Sequence, residues 1–284
     1  MTIQRVLAAA AGAALTVATL AHAADQVGAS VIDAQRRALA EAVADQGFGP
    51  QSPRDLSSAV GSNKRDFAFA PPASRMNLCN IHFHESAEHK GGEFTKYAGH
   101  GDGQGYGTGY LYSGELTAAE VAPYARPVGS TDHGALAPGD TIEVHYVYST
   151  AQVGPGPTLG SCLDVATLNP QLRVETQVMV LVNDPAALDF VRLTKHEFVD
   201  GYHQAIHIPQ DMGTPVQYTG STTGPAYNET GSPVQVTWSI RPKVAKVSIA
   251  SVEAWLGDNA FDEDHAHGVR TLVVNPDLLS PMSR

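Results

Sequence analysis

From Met76 onward the chain is organised by a period of two. In Thr141-Ile142-Glu143-Val144-His145-Tyr146-Val147-Tyr148, Ile142, Val144 and Tyr146 fall on one face, and Glu143 and His145 on the other. Cys79-Asn80-Ile81-His82-Phe83-His84-Glu85 repeats the pattern, with Ile81 and Phe83 opposite His82 and His84. Successive side chains of a strand point to opposite faces, so this alternation commits both stretches to strands with one apolar face. Six runs rich in Val, Ile, Thr and aromatics read as strands: Leu78–Glu85, Thr141–Ser149, Leu172–Val182, Val234–Arg241, Val244–Val252 and Val269–Val274. Loops containing Gly, Pro or Asn separate them. The expected fold is mainly β (α+β), a single domain around a large, mostly antiparallel sheet with an N-terminal helix.

The segments before Met76 read differently. Residues 1–23 have the form of a secretory signal peptide: Arg5, an apolar run from Val6 to Leu20, then Ala21-His22-Ala23 as a small-x-small cleavage site. The apolar run is ~15 residues, short of the ~20 that span hydrocarbon, so no membrane insertion is expected after cleavage. The destination is periplasmic or secreted. Residues 24–70 read as an N-terminal helix and an ordered loop, and 71–284 as the β domain. In the helix, Val31, Ala34, Ala38 and Ala42 recur at helical spacing, and Gly47 stops it. Gly99–Gly109, with glycine at every second position, lacks the lysine and following helix of a phosphate-binding loop and reads as a mobile loop.

Composition narrows the partners. The net charge is −11, and loss of Arg5 makes the mature chain one charge more negative. That argues against nucleic acid or an anionic membrane as partner. Two cysteines cannot form a four-cysteine metal site. Twelve histidines are the surplus to explain. Residues i and i+2 of a strand lie ~6.6 Å apart on one face, so His82 and His84 can aim both imidazoles at one metal. His145, sharing a face with Glu143, completes a three-nitrogen set if the two strands are neighbours. A catalytic zinc site takes that form, with the fourth position open to water whose pKa falls to about 7. Glu143 is placed to accept the second N–H of His145 and fix its tautomer. A cupin arrangement competes, with Glu88 as fourth ligand and iron, manganese or nickel as metal, although the cupin glycine spacings fit poorly.

Several stretches together resemble the delta class of carbonic anhydrases, and more remotely the alpha class. They are Cys79-Asn80-Ile81-His82-Phe83-His84, Glu88-His89, Glu143-Val144-His145, Tyr218-Thr219-Gly220-Ser221-Thr222-Thr223-Gly224 and Val236-Thr237-Trp238. Gly47–Asp55 and His265-Ala266-His267-Gly268 support the likeness, which spans about Phe48 to Val274. The resemblance implies reversible hydration of CO2 to bicarbonate and a proton by zinc-bound hydroxide. It implies Zn2+ on His82, His84 and His145, with Co2+ or Cd2+ as alternative occupants, and Glu143 orienting His145. It also implies a gatekeeper pair: Glu88 accepting from the hydroxyl of Thr222 or Thr223, with Thr222 favoured. An exported chain with two cysteines favours a Cys79–Cys162 disulfide tying the His-x-His strand to the loop at Gly160-Ser161. The Val178-Met179-Val180 strand is a candidate lining for the CO2 pocket. His89, His100 and His133 are candidate proton carriers, while His203 and His207 read as structural or as outer supports of the metal ligands. The sequence is silent on oligomeric state, and an exported, non-catalytic metal-binding protein of the same fold is the remaining alternative.

Overall fold

The computed structural model describes residues 26–44, 55–56, 67–221 and 234–269. The signal segment, Gly47–Arg54, Thr222, Thr223 and all of Val269–Val274 beyond Val269 lie outside them.

The frame is a six-stranded sheet in the order β1 (Asn77–Glu85), β6 (Thr141–Ser149), β7 (Leu172–Val182), β11 (Val236–Ile240), β10 (Val216–Gly220), with β12 (Ala245–Ser248) also on β7. The pairings β1–β6, β6–β7 and β10–β11 are antiparallel, but β11 and β12 both run parallel to β7. The sheet is therefore mixed. The eleven-residue β7 is long enough for β11 to pair with Leu172–Thr176 and β12 with Met179–Val182 along one edge. Smaller hairpins surround the sheet: β2 (Lys96–His100) with β3 (Thr108–Leu111), β4 (Val128–Thr131) with β5 (Gly134–Leu136), and β8 (His196–Val199) with β9 (Tyr202–Ala205).

Each face of the sheet carries its own core. On the back, Ile81, Phe83, Ile142, Val144, Tyr146, Met179 and Leu181 pack against Phe190 of α2 (Phe190–Leu193) and against Val252 and Trp255 of α3 (Ile249–Gly257). On the front, Val147, Val174, Val178, Tyr218, Trp238 and Ile240 pack with Phe94, Tyr110 and Cys162. Only the first part of Val244–Val252 is strand. After Ser248 the buried residues Ile249, Val252 and Trp255 recur every third position, and the chain turns into α3.

The glycine-dense segment is a hairpin connection rather than a free loop. Val27 N–H donates to Gly101 O (2.7 Å), Gln35 Nε2 to Gly103 O (2.7 Å) and Val269 N–H to Gly105 O (2.8 Å). Gly99, Gly101, Gly103, Gly105, Gly107 and Gly109 all have positive φ, which only glycine adopts repeatedly without strain. This loop thus ties α1 (Ala29–Val43) to the chain at Val269. The Cys79–Cys162 disulfide is present. No helix among the described residues is long and apolar enough to cross a membrane.

Candidate metal centre

The β1–β6 register places His82 directly opposite His145 and His84 opposite Glu143. Three imidazoles meet on the front of the sheet, with ring centroids 5.2 Å (His82–His84), 5.0 Å (His82–His145) and 4.9 Å (His84–His145) apart. Their ligand atoms lie within 4.8 Å of one another.

Each ring uses one nitrogen to reach an oxygen. His82 Nδ1–H donates to Asn80 Oδ1 (2.6 Å), His84 Nδ1–H to Gly268 O (2.9 Å) and His145 Nε2–H to Glu143 Oε1 (2.7 Å). In a neutral imidazole the other nitrogen is then a lone pair. His82 Nε2 and His145 Nδ1 therefore face each other at 3.2 Å as two acceptors with no proton between them. A cation removes that repulsion. Tetrahedral zinc with Zn–N near 2.0–2.1 Å sets its nitrogens roughly 3.3 Å apart. The donor set and spacing fit the ion.

Glu143 is fully buried, so it is not a solvent-facing strand charge. Its Oε1 also accepts from His89 Nδ1 (2.7 Å), and its Oε2 from His89 N–H (3.0 Å). Burial pushes this carboxyl up, but the imidazoles of His89 and His145 more than offset that and hold it well below the usual carboxylate range. His89 Nε2 accepts from Tyr218 hydroxyl at 2.5 Å, and Trp238 packs on His89 and His145 (5.1 and 5.2 Å). His89, Glu143 and His145 also cluster closely enough to suggest a second metal set, but their polar hydrogens already hold that cluster together.

This corrects the expectation that His89 is a loop proton carrier: it is completely buried. The strand alternation ends at Ser86, whose φ of 68° turns the chain, and His89 then meets Tyr218 of β10. The other two candidates are accessible. His100 Nδ1 meets Tyr97 hydroxyl (3.0 Å); His133 pairs with Asp102 (2.8 Å) and stacks on Tyr106. His203 packs against Phe198 in the β8–β9 hairpin.

Glu88 is buried, with Oε1 3.6 Å from His84 Nδ1. That nitrogen points at Gly268 O rather than into the three-imidazole centre. Glu88 therefore adjoins the centre without joining the ligand set, which removes the main support for a cupin arrangement. Met179 is likewise excluded from a pocket beside the metal, because it belongs to the back core.

Two contributors were missed by sequence reasoning. Asn80 shares the His82 face, a period-two relation that was legible. His267 pairs with His84 as an isolated bridge, its ring 5.6 Å from His82 and 5.8 Å from His84. Its Nε2 meets Glu263 Oε2 at 2.6 Å, and this hydrogen bond holds its pKa above the ordinary histidine value.

Three buried-edge imidazoles, each oriented by an oxygen acceptor, define a site able to hold one metal ion. The delta carbonic anhydrase family model matches residues 73–251, more than half of the chain, and the chain belongs to that family. It is accordingly a carbonic anhydrase, a lyase that interconverts CO2 and bicarbonate. The match ends before His267 and Gly268. No curated protein matches. Among solved structures, an alpha-carbonic anhydrase from Photobacterium profundum is 14% identical with TM-score 0.27, covering 81% of this chain and 88% of that one. A hyperthermostable carbonic anhydrase from an active hydrothermal vent chimney gives 14% and 0.27, covering 82% and 88%. An alpha-carbonic anhydrase from Thermovibrio ammonificans, in complex with sulfanilamide, gives 15% and 0.26, covering 78% and 84%. At these scores the likeness carries no weight for fold or site.

Proposed function

We propose that the chain is a zinc carbonic anhydrase whose ion is held by His82 Nε2, His84 Nε2 and His145 Nδ1. The observation that carries this is the 3.2 Å approach of His82 Nε2 and His145 Nδ1, both left as lone pairs. Zinc on three neutral imidazoles lowers the pKa of a water in its open position to about 7 and so supplies hydroxide at neutral pH.

The chain's own groups do the rest. Glu143 keeps His145 in the tautomer that leaves Nδ1 as the ligand, and the two N–H groups of His89 keep Glu143 ionised and immobile. Val147 follows His145 on the same strand face, Val174 pairs with Val147, and Trp238 pairs with Val174. These side chains, with Val178, which pairs with Glu143 on the same face, offer CO2 an apolar wall, while Met179 lies on the back. Thr222, or Thr223, follows β10 by one or two residues after Ser221. In this reading its hydroxyl donates to Glu88 and turns an oxygen lone pair toward the reacting water. The hydrogen bond from Tyr218 to His89 supports it, because it ties the strand that leads into this loop to the metal face. Export to the periplasm or medium completes the proposal, and the disulfide is compatible with it.

Stopped-flow CO2 hydration with metal analysis tests the reading. The purified protein should carry one zinc per chain and hydrate CO2. His145→Ala should lose more than ~100-fold of that activity, beyond the ~10–100-fold cost of disturbing a residue that only orients a ligand. Hydration that survives chelation, or none with zinc bound, overturns it.

A further inference from the structure

The three imidazoles of the centre are covered unequally. His145 and His84 are buried, at 1% and 8% exposure, and the rings of Trp238 and His89 close the His145 side. His82 is partly exposed, and His267 beside it keeps 43% of its side-chain surface open. Small molecules therefore reach the metal face from the β1 side, and His267 stands there.

His267 pairs with His84 as an isolated bridge, so both side chains rise from the same face. Its ring lies 5.6 Å from His82 and 5.8 Å from His84, little farther than the 4.9–5.2 Å between the ligand rings themselves. Its nitrogens nevertheless do not join the close-set ligand atoms of His82, His84 and His145. His267 is a neighbour of the centre and not one of its ligands.

The ring is fixed at three points. The backbone is locked to β1, with His267 N–H donating to Phe83 O (2.9 Å) and its carbonyl accepting from Glu85 N–H (2.8 Å). The ring Nε2–H donates to Glu263 Oε2 (2.6 Å), a carboxylate only 10% exposed. Glu263 is clamped in turn by Asn259, which accepts from its N–H (3.2 Å) and donates to its carbonyl (2.7 Å) and to Trp255 O in α3 (2.9 Å). Behind the ring, the glycine-dense loop abuts the chain: a Cβ on Gly268 would lie 2.7 Å from Gln104 O. An exposed side chain ordinarily keeps its rotamer freedom. This one has lost it beside the centre, and a fixed ring excludes by clash whatever is too wide to pass.

We infer that His267 is a specificity-determining residue. Its ring, strapped by Glu263, narrows the approach to the metal, admitting molecules the size of CO2 and bicarbonate and turning away bulkier anions. The inference rests on the reading that His82, His84 and His145 hold zinc. Both His267 and Glu263 lie beyond residue 251, where the family match ends, so this wall is not part of what the family model covers.

Calorimetric binding of azide and of benzoate to the zinc-loaded protein tests this. Both are monoanions, so a change in local charge moves them together and their affinity ratio reads shape. Azide is linear and triatomic like CO2, and the parent should favour it. His267→Ala should shift the ratio toward benzoate by ~10-fold or more, the scale on which pocket sterics discriminate. Its zinc affinity, read by chelator competition, should stay well short of the ~10–100-fold loss that follows removal of a partner orienting a ligand. Glu263→Ala frees the ring and should shift the ratio the same way by less. Added to His267→Ala it should change nothing more, since the strap then has no ring to hold. Glu263→Gln keeps an acceptor for Nε2–H and should stay near the parent. An unmoved ratio in His267→Ala, or a zinc affinity that falls with it by ~10-fold or more, overturns the inference. Should His267→Ala fail to fold, the ratio in Glu263→Ala decides. If neither anion binds the parent in a zinc-dependent manner, the zinc reading falls and this inference with it. If azide binds only with zinc and the ratio does not move, this inference alone fails.

Discussion

The two faces of the β1–β6 pair are built from the same eighteen residues and held by opposite means. On the back, Ile81, Phe83, Ile142, Val144 and Tyr146 fill one continuous core by shape and area. On the front, Asn80, His82, Glu143 and His145 are fixed by directed hydrogen bonds of 2.6–2.7 Å between His82 and Asn80 and between His145 and Glu143. Dispersion and burial are undirected and sum over many atoms, whereas each hydrogen bond fixes one angle. The back face therefore determines where the strands lie, and the front face determines where three nitrogens point. Substitutions on the two faces should separate stability from metal binding.

The largest expected effect is on the back. Phe83 sits edge-on to Phe190 (5.6 Å) and against Trp255 (5.8 Å), with almost no exposure. Phe83→Ala should cost about 3–5 kcal/mol of stability, the range for emptying a buried aromatic site. Urea unfolding of the metal-free protein measures this. Zinc affinity under conditions where the variant is still folded should stay near that of the parent; a parallel collapse would mean that the faces are not separable.

On the front, Glu143→Gln keeps the size and loses the charge. Glu143 accepts three hydrogen bonds, from His145 Nε2–H, His89 Nδ1–H and His89 N–H. An amide offers only one acceptor oxygen, so one donor must face the new NH2 group. Zinc affinity should fall ~10–100-fold, read by chelator competition. Thermal unfolding should shift less than in Phe83→Ala. Unimpaired zinc binding would show that geometry alone, without the charge, holds His145.

The contrast also explains what could be read in the sequence. The period of two fixes the face of His82, His84, Glu143 and His145 whatever the strands pair with, so these positions were legible from two short stretches. Contributions that depend on distant chain were not. Gly268 serves His84 with a backbone carbonyl, which any residue type supplies. The amide of Asn80 finds its second partner, Gly156 O, only when a loop 76 residues later folds against it. His267 arrives beside His84 through pairing at the far end of the chain. The parallel pairing of β11 and β12 with β7 was hidden for the same reason, since alternation specifies a face and not a neighbour. In the run from Val244 to Val252, β-branched residues masked the change of period from two to a helical repeat after Ser248.

The smallest effect is expected at the end of the same strand pair, where neither face dominates. Asp140 precedes β6 and accepts from Ala137 N–H at 2.7 Å. Burial, aided by the charge of Glu85 and opposed by the hydrogen bond from Ala137, raises its pKa to about 6. Its folded pKa thus lies above the value near 3.9 of an unfolded aspartate. The folded state binds the proton more tightly, so this group contributes stability below about pH 4 that is lost as pH rises through about 6. At neutral pH the ionised carboxylate is a standing cost. Asp140→Asn keeps an acceptor for Ala137 and removes the charge, and should stabilise the protein by about 1–2 kcal/mol at pH 7–8 with little change at pH 4. Unfolding midpoints across that pH range give the answer. A variant that is less stable than the parent at pH 8 would show that the charged acceptor, through its hydrogen bond to the turn, outweighs the cost of burying it.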